Sequence, residues 1–407
     1  MSIKKICRLC GYQSREIIDL GSSPPANNFL DEETKNIDSF PLILDFCDNC
    51  GGLQLRDCLE KEQLYSNYTY LTPDADSLTV HYKNILDILL NNSFISSSTD
   101  CLEIGSNNGR FLNFLKPYVK SVLGVDPAKN VAAFAKELGV ETIVDFFSKN
   151  TVKNILNQKL DVGFIAARHM FAHNPRPDEI FEGMDAILND RGVILIENQY
   201  AIETLKTGAF DQIYHEHMFY YSVTNMQNYL NSKQYELNDI FFSDIHGGSI
   251  VFIGSRKGCY AVSKAVKDQL IVEDEYFKQD KIFKEFRNKV EEIRIKTLNE
   301  IDLDHQNNKK IIAYGAPAKA FTMFSFLELD NKKIDFCVDT SITKIGKTFP
   351  KSNIPVISED EMKQRDYETV LVTAWNYKED IIKKSKDLFK KDTKLVFPLT
   401  EFTTHIV

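Results

Sequence analysis

The sequence predicts an α/β protein in three parts: a small cysteine-rich module, a central doubly wound sheet and a second Rossmann-like sheet. Three observations predict it. Two C-x-x-C pairs stand near the start, at Cys7–Cys10 and Cys47–Cys50. A strand, glycine turn, helix, strand and closing acid follow one another between Cys101 and Asp126. A further strand and small-residue turn, Ile311 to Lys319, come after a long charged helical stretch. The parts are expected at residues 1–65, 66–258 and 306–407, with a bridging helix over 259–305.

Composition agrees with this size and class. A chain of 407 residues, 43% hydrophobic and 26% charged, accommodates two large domains and a small module. A net charge of −9 leaves no footprint for nucleic acid or an anionic membrane. No apolar run follows Met1–Lys5, and Ile311–Leu327 carries Lys319 and is too short to cross a bilayer. The expectation is a cytoplasmic enzyme, a monomer or weak homo-oligomer. Cys58, Cys101, Cys259 and Cys337 are scattered, so no disulfide framework is read.

In the first part, each C-x-x-C pair lets two thiolates converge on one ion from a tight knuckle, and Gly11 and Gly51 permit the turns. Cys7, Cys10, Cys47 and Cys50 together make the closed tetrahedral sphere of structural zinc. A redox dithiol is the alternative. The interval between the pairs holds a loop, Gly21 to Phe29. Residues 61–98 connect to the next part. Their phenol-rich run Tyr65–Tyr70 faces either substrate or a packed junction, and Tyr82, Ile85, Leu86 and Leu89 have helical spacing.

In the central part, Cys101–Ile104 is a strand, Gly105–Gly109 a turn, Arg110–Leu115 a helix, and Val122–Val125 the next strand, ending at Asp126 and Pro127. The turn is E-x-G-x-x-x-G rather than the dinucleotide G-x-G-x-x-G. A carboxylate at Asp126 suits the two hydroxyls of a ribose. These features favour S-adenosylmethionine over NAD, with Glu103, Gly105, Ser106 and Asn107 lining the turn. Asp145 and Phe146 follow the third strand and are placed at adenine. The fourth strand, Asp161–Ala167, runs into His169 and His173, at the end where chemistry sits in this fold. The fifth, Gly192–Glu197, leads to Asn198.

The most unusual chemistry lies in Asp211–His217, where His215 and His217 flank Glu216 one residue after Tyr214. In an extended segment the two histidines share a side and Glu216 takes the other; in a helix none of the three share a face. Imidazole beside carboxylate suits proton abstraction near neutral pH; a metal pair or a solvated loop are the bland readings. His246–Ser249 is a glycine turn feeding an edge hairpin. Residues 260–308 read as one long helix. The turn after Ile311–Tyr314 is a candidate phosphate site through backbone N–H groups and Lys319, or else a buttress.

Taken together, these stretches resemble the sugar C-methyltransferases of bacterial deoxysugar biosynthesis over nearly the whole chain. The likeness rests on the two cysteine pairs, Pro25-Ala26-Asn27-Asn28-Phe29, Glu103-Ile104-Gly105-Ser106-Asn107, Tyr214-His215-Glu216-His217, His246-Gly247-Gly248-Ser249, Tyr314-Gly315-Ala316 with Lys319, and Trp375-Asn376. It implies a class I methyltransferase core using S-adenosylmethionine, and 3-C-methylation of a nucleotide-linked 4-keto-deoxysugar. It implies that His217 removes the proton α to the ketone, with Tyr214, Glu216, His173 and Tyr68 around it. The donor is expected on Glu103, Gly105, Ser106, Asn107, Asp126, Pro127, Asp145, Phe146 and Ala167. The sugar nucleotide is expected on Asn28, Asn198, His246, Ser249 and Lys319. Methylation at oxygen or nitrogen of a related sugar is the alternative, and a zinc-ribbon RNA-binding protein with a degenerate core is a more distant one. Three places depart from the family pattern: Asn108 stands where an acid is usual, Glu197–Tyr200 differs from the common form, and Lys351 stands where a glycine is usual.

Overall fold

The computed structural model describes residues 5–31, 34, 36–59, 64, 71–72 and 75–407. Among the described residues the chain forms three sheets. The first is antiparallel, ordered β1 (Arg15–Ser23), β2 (Phe40–Cys47), β3 (Gly52–Leu55) and β9 (Phe219–Tyr220). Its last strand comes from the central part, directly after the Tyr-His-Glu-His stretch.

The central sheet is built on β4 (Asp100–Ile104), β5 (Ser121–Val125), β6 (Glu141–Ile143), β7 (Val162–Arg168), β8 (Val193–Gln199), β10 (Tyr235–Ser243) and β11 (Ser249–Arg256). The order is β10-β11-β8-β7-β4-β5-β6, parallel except for the edge hairpin β10–β11. All five residues of β4 are buried, as are Phe164–Ala167 of β7, because helices cover both faces of a parallel sheet. One of these helices, Asp76–Asn91, buries Leu78, Tyr82, Ile85, Leu86 and Leu89 at three- and four-residue spacing. Each such side chain contributes about 1.5–3 kcal/mol. Strand order reverses at β4, and the crevice above that point is where this topology places ligands.

The third sheet runs β14 (Val356–Ile357), β13 (Cys337–Val338), β12 (Ile311–Tyr314), β15 (Thr369–Val372), β16 (Lys394–Phe397) and β17 (Thr403–Ile406), antiparallel only at β17. The bridge before it is two helices, Lys264–Phe277 and Lys281–Gln306, and not the single helix read from the sequence. Asp280 breaks it at φ +58°. The cause is tertiary: Arg15 of the first module donates to Asp280 at 2.6 Å, while Phe277 and Phe283 pack on Phe46. The first module also reaches the third sheet, through the Leu30–Thr348 bridge and Lys351 Nζ donating to the Ser22 carbonyl at 2.6 Å. Lys351 sits at φ +65°, a left-handed conformation that explains why glycine suits the position. No helix among the described residues is long and apolar enough to cross a membrane.

Candidate active site

A cavity of about 1270 Å³ lies over the carboxyl ends of β4, β5 and β7. Its walls come from all three parts. Asn27 and Asn28 belong to the first, the strand ends to the second, and the turns after β12, β13 and β15 to the third.

On the β4 side, Gly105 lies at φ +71°, and a Cβ there would come within 2.9 Å of the Met170 side chain. Asp126 accepts the Asn107 N–H on Oδ2 and the Ala128 N–H on Oδ1, each at 2.9 Å. Both oxygens keep a lone pair for a diol. Asn107 Oδ1 accepts the Thr72 N–H, and Asn108 Nδ2 donates to the Thr72 carbonyl at 2.8 Å. A carboxylate at position 108 would have no proton to give that carbonyl. Ser106, Pro127, Asp145 and the half-exposed Phe146 also line this wall. Ala167 does not: it is buried inside β7, paired with Ile104 and Ile196, and the lining begins one residue later.

Arg168 anchors this wall. Its Nε donates to Glu197 Oε2 at 2.8 Å, Nη1 lies 3.4 Å from Glu103 Oε1, and its guanidinium packs over the Phe111 and Tyr82 rings. Glu197 is also 2.7 Å from His81 Nε2. Arg168 and its other partners overcome burial and hold Glu197 well below the usual carboxylate range. Glu103 goes the other way, pushed up to about 8 because burial outweighs Arg168.

The opposite wall carries the Tyr-His-Glu-His stretch, and it is not extended. The His217 N–H donates to the Tyr214 carbonyl at 2.9 Å, closing a turn. Tyr214, Glu216 and His217 all line the cavity, while His215 points back toward the Phe40 carbonyl. His217 Nδ1 lies 3.1 Å from the Gln212 carbonyl, which fixes the proton on Nδ1. Nε2 then accepts the Tyr214 hydroxyl at 2.6 Å. Burial, reinforced by His173, holds His217 well below the imidazole range, so it is neutral. His173 lies 5.1 Å from it, ring to ring, and is lowered to about 4 by burial. Glu216 is raised to about 7 by burial, against the Asn27 amide donating to Oε1 at 3.1 Å.

The remaining predicted residues divide. Asn28, Asn198, His246 and Lys319 line the cavity. Asn198 Nδ2 is buried without a partner. His246, at φ +55°, packs edge-on to His169, itself at φ +50°. Lys319 Nζ donates to Asn376 Oδ1 at 2.7 Å. Ser249 is outside the lining, its hydroxyl spent on the Ile245 carbonyl at 3.0 Å. Tyr68 lies outside the described residues.

Three family models match the chain: a zinc binding domain over residues 7–65, a methyltransferase domain over 80–239, and a C-methyltransferase C-terminal domain over 244–400. The chain is 30% identical to C-methyltransferase NovU of Streptomyces niveus over 400 residues, 97% of this chain and 95% of that one. It belongs to the C-methyltransferase family. Solved structures that resemble it include a SAM-dependent methyltransferase of Anabaena variabilis, 14% identical over 47% of this chain and 90% of that one, with a TM-score of 0.37. Another is magnesium protoporphyrin IX methyltransferase of Synechocystis with bound SAH, 8% identical over 44% and 84%, with a TM-score of 0.36.

As a C-methyltransferase the chain takes its methyl group from S-adenosylmethionine. The residues present fit that donor. Glu103 Oε2 and Ser106 Oγ are buried, without partners, in the lining residues of the β4 wall. The zinc site fits as well. The four Sγ atoms of Cys7, Cys10, Cys47 and Cys50 lie within 4.8 Å of one another. The Cys7–Cys50 and Cys10–Cys47 pairs are 3.6 and 3.5 Å apart. Tetrahedral zinc–thiolate bonds of about 2.3 Å call for edges of about 3.8 Å. Four thiolates fill that sphere, so the metal is structural.

Several residues that line the cavity carry little signal in the sequence. Arg168 is the main one. A charge closing an apolar strand reads as surface, and nothing local says that two buried acids will claim it. Asn27 stands in the sequence pattern only as a neighbour of Asn28, but at φ +64° it donates its amide to Glu216. Thr340–Lys344 has no local signal beyond its position after a strand.

Proposed function

We propose that this C-methyltransferase methylates C3 of a nucleotide-linked 4-keto-deoxysugar through an enolate formed by His217. The observation that carries the reading is the relay Gln212 carbonyl–His217–Tyr214 hydroxyl, set in one cavity with the Asp126 wall and Lys319. The ketone acidifies the adjacent carbon-bound proton, and neutral His217 offers Nε2 to receive it. Its low basicity means the enolate oxygen must be stabilised as it forms. Nε2 has one lone pair, so the Tyr214 hydroxyl must leave it as the carbon-bound proton comes to face that atom, and the freed hydroxyl can then donate to the enolate oxygen. Glu216, with a pKa of about 7, is a second candidate donor there. S-adenosylmethionine supplies an electrophilic methyl group on sulfonium sulfur. The enolate carbon is the nucleophile, and the two walls serve to hold it in line with that methyl. Lys319 and Lys344 line the cavity together with Ser341 and Thr343, in a setting suited to a diphosphate.

The test is purified zinc-loaded protein with labelled donor and a panel of NDP-4-keto-deoxysugars in D2O. Methyl transfer and deuterium exchange at the carbon next to the ketone are expected, and both are lost in His217→Ala. Transfer without exchange would move the reaction to a heteroatom. Exchange that survives in His217→Ala would remove the base from this residue.

A further inference from the structure

The third sheet is tied to the Tyr-His-Glu-His stretch at two points that flank one carbonyl. Trp375, after β15, donates Nε1–H to Asp211 Oδ2 at 2.6 Å. Thr322, on the helix Ala320–Phe326, donates its hydroxyl to the Ile213 carbonyl at 2.9 Å. Both contacts are buried. Between them stands Gln212, whose carbonyl takes His217 Nδ1 and the Tyr220 hydroxyl, each at 3.1 Å. The indole is itself held. Lys319 Nζ sits 3.7 Å over its ring, and a Cβ at Gly247 would lie 3.1 Å from it. Neither Trp375 nor Thr322 lines the cavity.

We propose that the C-terminal domain positions the catalytic base: Trp375 and Thr322, through Asp211 and Ile213, fix the Gln212 carbonyl that sets the ring and tautomer of His217. The inference rests on the reading of His217 as base. It gives the second Rossmann-like sheet a task in the chemical step besides holding substrate. The physical basis is that a neutral imidazole presents a lone pair on one nitrogen only, and the hydrogen bond at the other nitrogen decides which. An untethered carbonyl lets the ring turn and lets the Nε2–H tautomer, which cannot accept at Nε2, become populated.

Two substitutions isolate the ties. Trp375→Phe removes the N–H and keeps an aromatic ring; Thr322→Val removes the hydroxyl and keeps the shape. The first readout needs no substrate: 15N spectra of histidine-labelled, zinc-loaded full-length protein, with the His217 signals assigned by their loss in His217→Ala. Wild type is expected to show the Nδ1–H tautomer. Trp375→Phe and Thr322→Val are expected to show a mixture, and Thr322→Ser to restore the single form. The second readout is kinetic, with the NDP-ketosugar active in the panel. Exchange and methyl transfer should fall together by roughly ten- to hundredfold in kcat, with KM for donor and sugar nucleotide within about twofold. An unchanged tautomer, or a loss explained by raised KM or by less folded protein, overturns the inference. His217→Ala in the same assay separates the two possible failures. Retained exchange there is a failure of the base assignment. Exchange lost there but intact in Trp375→Phe and Thr322→Val is a failure of the positioning.

Discussion

Replacing Glu216 by glutamine should stabilise the ligand-free protein, and more so as the pH rises. Glu216 is 6% exposed, and burial raises it from the usual 4.5 to about 7. The folded protein therefore binds this proton more tightly than the unfolded chain does. The contribution of Glu216 to stability is most favourable below pH 4.5, falls as pH rises between the two values, and carries the full cost above 7. The shift of about 2.5 units corresponds to about 3 kcal/mol. Glutamine has the same shape, keeps an acceptor for Asn27 and stays neutral throughout. Glu216→Gln is expected to exceed wild type by about 1 kcal/mol at pH 5 and about 3 kcal/mol at pH 8. Melting of the two proteins side by side, without donor, checks it. The gain in melting temperature should grow by roughly 2–3 °C between those pH values for a 407-residue chain that unfolds as one unit. An equal gain at both would refute the buried, proton-holding carboxylate and with it the use of Glu216 as a donor near neutral pH.

Tyr214→Phe removes the hydroxyl that meets His217 Nε2 at 2.6 Å. Single-turnover methyl transfer should fall by roughly 10²–10³ while calorimetric donor affinity stays within about twofold. Cys47→Ser should lose the zinc, measured as metal per chain, and lose transfer with it, since the module that supplies Asn27 and Asn28 depends on that ion; a zinc-free protein with wild-type turnover would contradict this. Arg168→Met leaves the buried Glu197 without its guanidinium partner and should cost about 3–5 kcal/mol in denaturant unfolding, with weaker donor binding by calorimetry as Glu103 loses its nearest cation.

What was legible in the chain was what local pattern determines. The β4 turn needs glycine at φ +71° and φ +72°, and Gly105 and Gly109 announce it. The cysteine knuckles are equally local. Burial on both faces makes β7 and β8 continuous apolar runs, which read as strands without any partner in view. The errors fall where distant contacts decide. Asp280 lies in a run of good helix formers, and only Arg15 and the Phe46 ring, far away in sequence, break the helix there. The Tyr214–His217 turn could be extended or helical by local pattern, and its contacts through Asp211, Ile213 and Glu216 run to Trp375, Thr322 and Asn27, all distant in sequence. Ala167 was placed at the donor on the expectation that the strand ended there; β7 continues through Arg168. Ser249 stands beside lining residues, and its hydroxyl is taken by a carbonyl four residues back.

The four-stranded sheet of the first module has an implication for how the protein is made. β1, β2 and β3 are complete once Leu55 has been added, but β9 pairs with β3 through Phe219 and Tyr220. At about 5–20 residues per second, the ribosome needs on the order of ten seconds or more to deliver that strand. For that interval the zinc-bound hairpins present the β3 edge unpaired. The closing strand then arrives with the Tyr-His-Glu-His turn just ahead of it, so the event that completes the sheet of the metal module also anchors the turn that carries His217, the proposed base. Excising the module would leave an open sheet edge on one fragment and the Asp211–His217 turn without the β3 pairing that follows it on the other.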